Sequence, residues 1–84
     1  MIIRSQDKRK ITNFSHVADL VVLKNRFDEW EIIACYPYFA ERDCGYSVLA
    51  TYSSEEKALK VLDMFQSYIG KDFRMPSDEY MDNI

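Results

Sequence analysis

Thr51-Tyr52-Ser53-Ser54-Glu55-Glu56-Lys57-Ala58-Leu59-Lys60-Val61-Leu62-Asp63-Met64-Phe65-Gln66-Ser67-Tyr68-Ile69-Gly70 reads as the end of a strand, a capped helix start, a helix and a stop. Ser53 followed three residues later by Glu56 has the pattern of a capping box, in which hydroxyl and carboxylate each satisfy a backbone N–H at the helix start. Glu55 and Glu56 sit where the positive end of the helix dipole favours carboxylates. Ala58, Leu62, Phe65 and Ile69 fall on one face of a 3.6-residue period, flanked by Val61 and Tyr68 and widened by Leu59 and Met64. Lys57, Lys60, Asp63 and Ser67 fall toward water, and Gly70 suits the left-handed residue that ends a helix. Burying the three large side chains of the stripe contributes roughly 1.5–3 kcal/mol each. A helix of this length is marginal alone, so a sheet is expected to cover it.

The rest of the chain reads as strands. Met1–Ser5 and Ile11–Phe14 make a short hairpin about the charged connection Gln6-Asp7-Lys8-Arg9-Lys10. Val17–Lys24 is apolar on both faces, with Val17, Val21 and Leu23 beside Asp19 on one, and Ala18, Leu20 and Val22 on the other. Glu29–Tyr36 alternates clearly, placing Trp30, Ile32, Ala34 and Tyr36 together. Pro37 stops it, because proline cannot donate to a sheet ladder. A loop from Pro37 to Cys44 precedes the strand Tyr46–Tyr52. Lys71–Pro76 is a short extended segment, and 77–84 an acidic tail expected to fray.

Short links between consecutive strands favour an antiparallel β-meander of four or five strands, with one C-terminal helix packed across one face: an α+β domain over 1–76. The expected core is Ile3, Leu20, Val22, Trp30, Ile32, Leu49, Ala58, Leu62, Phe65 and Ile69.

Eighty-four residues make one domain that folds without disulfides. An apolar fraction of 48% with twelve aromatics argues against disorder. No apolar run approaches a membrane span, and the start Met1-Ile2-Ile3-Arg4-Ser5 lacks a signal-peptide apolar region. The expected compartment is the cytoplasm, where Cys35 and Cys44 stay reduced. Charge is uneven: residues 1–26 carry a net +4 and residues 27–84 a net −7.

Four pieces recur together in this order: Ile3-Arg4-Ser5-Gln6-Asp7-Lys8, Trp30-Glu31-Ile32-Ile33-Ala34, the run from Leu49 to Asp63, and Arg74-Met75-Pro76. With them the chain resembles a family of short proteins of Gram-positive bacteria and their phages or mobile elements, with no assigned activity. The resemblance implies a standalone cytoplasmic protein of phage or prophage origin, and brings no catalytic residue.

Chemistry is sparse. His16 lacks metal-ligand spacing and reads as a loop histidine; the adjacent Glu55 and Glu56 point apart on a helix; Gly45 and Gly70 cannot make a phosphate loop. No catalytic, cofactor or metal site is expected. Two binding surfaces are. Tyr36, Tyr38, Phe39 and Arg42 form an aromatic and charged loop suited to anchoring a protein contact. The plain alternative folds Tyr36 and Phe39 back onto the sheet. Arg4, Lys8, Arg9 and Lys10 form a basic cluster suited to phosphates of nucleic acid, or simply a solvated turn guarding an edge strand; a pI near 5 weighs against nucleic acid. The expected function is a non-enzymatic protein–protein interaction module whose partner is another protein or a second copy. Alternatives are nucleic-acid contact through the basic hairpin, and an acidic DNA mimic that inhibits a host or defence nuclease.

Overall fold

The computed structural model describes residues 2–17, 19–36, 45–68 and 71–83. In chain order the elements are β1 (Ile2–Arg4), β2 (Ile11–Asn13), a 3₁₀ turn (Phe14–His16), β3 (Asp19–Lys24), β4 (Trp30–Cys35), β5 (Tyr46–Tyr52), α1 (Glu55–Gln66), β6 (Phe73–Arg74) and α2 (Asp78–Met81). The class is α+β, as expected, but the strands do not form one meander. They make two three-stranded sheets, ordered β2-β1-β6 and β3-β4-β5. The departure comes from β6, which pairs in parallel with β1, Ile3 opposite Phe73 and Arg4 opposite Arg74. A meander would pair β2 with β3 and leave β1 at the edge; here β2 and β3 lie in different sheets, and a two-residue strand near the end of the sequence gives β1 its second neighbour.

In the larger sheet Val22, Ile32 and Ala50 lie across one row, and Trp30 pairs with Tyr52. Opposed residues share a face, so Leu20, Val22, Trp30, Ile32, Ala34, Ala50 and Tyr52 point to the core. β5 breaks its alternation once. Ile32 pairs with Ala50 but Ile33 with Val48, leaving Leu49 as the extra residue of a β-bulge. Leu49 and Ala50 are both buried as a result. Val21, Ile33 and Val48 share the opposite face.

Ser54, not Ser53, caps α1: its Oγ accepts the Lys57 N–H at 3.2 Å. The residue at the box's fourth position is then Lys57, so Glu56 has no reciprocal role. The Ser53 N–H and hydroxyl instead donate to Asp78 Oδ1 at 2.9 and 3.2 Å. The buried stripe is Ala58, Val61 and Phe65, with Leu62 half-buried. Ile69 and Gly70 lie outside the described residues. Phe65 meets Phe14 and Phe73 edge to face at 5.1 and 5.3 Å, an arrangement that adds about 0.5–1.5 kcal/mol per pair beyond area burial. The helix thus packs on the larger sheet while its C-terminal turn meets the smaller one.

One side chain ties the two sheets. Gln6 follows β1, and its backbone N–H donates to the Leu49 carbonyl at 2.8 Å. Its Nε2 donates to the Thr51 and Pro76 carbonyls at 3.0 and 3.1 Å, and its Oε1 accepts the Thr51 N–H at 3.0 Å. A single residue so satisfies a stretch of the β5 edge. Tyr52, buried below, donates its hydroxyl to the same Pro76 carbonyl at 2.6 Å. Residues 77–83, expected as an acidic tail, close a helical turn. Ser77 caps α2, Met81 is buried, and Lys57 Nζ bridges Asp78 and Asp82 at 3.2 and 2.6 Å. Composition shows the acids here but not the lysine on α1 that holds them.

Candidate binding surface

The six residues from Ser5 to Lys10 build a tight turn in which polar side chains replace backbone partners. Ser5 is buried; its hydroxyl donates to Asp7 Oδ1 at 2.6 Å and accepts the Lys10 N–H at 3.1 Å. Asp7 also accepts the Arg9 N–H at 2.9 Å. The Ser5 hydroxyl, then the Arg9 N–H, hold the Asp7 carboxyl below its ordinary pKa of 3.8. Lys8 takes φ 66°, the left-handed region that glycine usually fills. The Arg4 guanidinium folds over the turn, Nη2 donating to the Lys8 carbonyl at 3.1 Å.

This turn divides the four predicted cations. Arg4 and Lys8 line a depression of about 280 Å³ together with Ser5, Gln6, Arg74 and Met75. Arg9 and Lys10 do not line it, and Lys10 Nζ reaches across to Ser47 Oγ at 3.2 Å. The third cation is Arg74, which the sequence reading did not select. It stands seventy positions from Arg4 and arrives there only through the parallel pairing of β1 with β6. Among the described residues, none of Arg4, Lys8 and Arg74 enters an ion pair.

The depression opens into a groove of about 630 Å³ that shares Gln6, Lys8, Arg74 and Met75 with it. Met64 near the end of α1, Tyr68 in the turn that follows it, Phe73, Pro76, and Tyr80 of α2 complete its walls. Tyr68 and Tyr80 are 44% and 53% exposed, so each presents a ring to solvent as well as to the groove. Tyr68 is anchored edge-on against Phe73 at 5.2 Å. Asp72 is the acid in the lining, and its Oδ1 accepts the Ile2 N–H at 3.1 Å.

Of the aromatic loop, Tyr36 packs against the core and donates its backbone N–H to the Gly45 carbonyl at 2.9 Å. Tyr38, Phe39, Arg42 and Cys44 lie outside the described residues. Cys35 is half-buried on β4 and His16 ends the 3₁₀ turn. Among the described residues, no cluster of His, Cys, Asp or Glu is arranged to hold a metal ion, and every buried side-chain nitrogen or oxygen has a partner. Among the described residues, no helix is long and apolar enough to cross a membrane.

The arrangement can therefore bind: three cations at one end, tyrosines and methionines along the rest. Comparison with models of protein families, with curated proteins and with solved structures gives no match, so no residue role is carried over from a relative.

Proposed function

We propose that this chain is a non-enzymatic protein-interaction module, and that its contact surface is the groove between β6, α1 and α2. The observation that supports the reading is the groove's lining. Tyrosine, methionine and arginine are the side chains enriched at protein contacts, and here Met64, Tyr68 and Tyr80 stand beside Lys8 and Arg74. Charge complementarity then selects the occupant: a protein segment with apolar residues for the tyrosine end and acidic ones for the basic end. The test is a solution titration of the 84-residue chain with short peptides. An acidic–apolar peptide should shift the amides of Met64, Tyr68 and Tyr80, its analogue with lysine in place of each acid should not, and Tyr68→Ala with Tyr80→Ala should abolish the shifts. Equal response to both peptides refutes the reading.

Nucleic-acid contact is the second reading. It is favoured by the same unpaired cations next to two exposed rings, a combination that serves single strands through backbone charge and base stacking.

A further inference from the structure

We infer that the depression between β1 and β6 is a phosphate-binding site, and that the partner segment presents a phosphorylated side chain to it. The second half of this inference rests on the reading of the groove as a protein-segment site. Three features point to a concentrated anion. Arg4 and Arg74 are lateral partners on adjacent strands, and like charges directly opposed in a sheet destabilise it unless something neutralises them. Lys8 adds a third positive charge from a left-handed backbone position that a lysine occupies at a cost. Arg4 is pre-positioned, since one of its five N–H donors is spent on the Lys8 carbonyl and the rest of its fork stays available. The acid of the turn does not interfere. Asp7 faces Ser5 and the Arg9 backbone and does not line the depression; nor does Asp72, which lines an adjoining hollow with Arg4 and Arg74 and accepts the Ile2 N–H.

A dianionic phosphomonoester matches this site better than the other anions at hand. A single carboxylate neutralises one of three cations. A nucleic-acid strand needs cations spaced along a track, whereas Arg9 and Lys10, which would extend one, stay outside the depression. The chain as a whole is also acidic, with a net charge of −3, and repels a long polyanion. Arginine forks meet phosphate oxygens bidentately and are the usual readers of phosphorylated side chains.

The experiment is a titration of the full chain, followed by amide shifts, first with inorganic phosphate at constant ionic strength and then with two peptides. The peptides carry leucines and glutamates, and differ in having phosphoserine or serine at one position. Phosphate should give saturable shifts at Arg4, Ser5, Lys8, Arg74 and Met75. Arg74→Gln should weaken it about tenfold, the loss expected for one charge-assisted bond. Lys8→Gln provides a second variant should the first disturb β6. The phosphopeptide should bind at least about tenfold more tightly than its serine twin. Non-saturating shifts spread over all surface cations overturn the site. Equal affinity for the two peptides overturns the phosphorylated partner and leaves the groove reading standing. Saturable phosphate with neither peptide binding overturns the groove reading and the partner with it. Tighter binding of oligothymidylate than of the phosphopeptide overturns the partner in favour of nucleic acid.

Discussion

Replacing Gln6 by alanine should unfasten the two sheets, and the cost can be worked from the hydrogen bonds. The side chain makes three, to the Thr51 carbonyl, the Thr51 N–H and the Pro76 carbonyl, all part-buried. A neutral hydrogen bond nets about 0.5–1.5 kcal/mol, and partners left dry cost more than partners that water reaches. The sum is about 2–4 kcal/mol. A chain of this size is stable by roughly 4–13 kcal/mol in all, so the loss is a large share. It corresponds to a fall in Tm of roughly 10–30 °C. Urea unfolding followed by the fluorescence of Trp30, which packs against the core on β4, measures it. Gln6→Glu sharpens the test. A carboxylate can accept the Thr51 N–H but faces two carbonyls with nothing to donate, so its pKa is raised in the folded state. The sign follows: protonated, the glutamic acid recovers one donor, and the variant's deficit should grow as pH rises through the carboxylate range. If Gln6→Ala costs less than about 0.5 kcal/mol with the fold intact, the amide is not the fastener argued from its hydrogen bonds.

Other outcomes follow from single contacts. Tyr52→Phe should cost about 1–2 kcal/mol in urea, since the Pro76 carbonyl loses its phenolic donor. Burial also pushes the Tyr52 phenol well above its ordinary pKa. Its contribution is therefore complete below about pH 10, where the unfolded phenol titrates, and is lost above; the phenylalanine variant should lack that alkaline decline. The Ser53 N–H, then the Lys57 ammonium and the Ser53 hydroxyl, hold Asp78 below its ordinary 3.8. Its stabilisation is present above that value and lost as pH falls through the lower folded pKa. Asp78→Asn should thus flatten the acid limb of a stability–pH profile as pH falls below the ordinary carboxylate value. In phosphate-free buffer of low ionic strength, Arg74→Gln should raise the urea midpoint by relieving the charge beside Arg4, and the gain should shrink with added salt; a fall in midpoint contradicts the repulsion.

How much of this was legible depended on the range of the interaction. Strand and helix positions follow from local runs such as Trp30–Cys35 and Ala58–Phe65, where period and β-branching act within a few residues. The helix cap was misplaced by one because Ser53 and Ser54 are adjacent and only Ser53 has a glutamate, Glu56, three residues on. What decided between them is Asp78, twenty-five residues on, which occupies Ser53. The bulge at Leu49 left no mark, since apolar residues on both sides of β5 fit either register. Lys71–Pro76 reads as extended, but β6 is two residues long and too short to show its partner, so the third strand of the smaller sheet and Arg74's place beside Arg4 were not legible. Of the candidate site, Arg4 and Lys8 could be chosen from composition alone. Their separation from Arg9 and Lys10 needed the turn's internal hydrogen bonds, with Ser5 and Asp7 as its centre.

The parallel pairing of β1 with β6 also sets an order in time. Ile3 meets Phe73 only after seventy further residues have been made, while β3, β4, β5 and α1 lie between and pair among themselves. Contacts of such separation carry the largest loop-closure cost and form late. On the ribosome the larger sheet and its helix can assemble first, while Ile3 waits for Phe73, and Gln6, whose Leu49 and Thr51 partners are already made on β5, waits only for Pro76. The emergence of β6 then gives β1 its parallel partner and, in the same step, brings Arg74 to Arg4, so the basic depression comes into being only once the smaller sheet has closed.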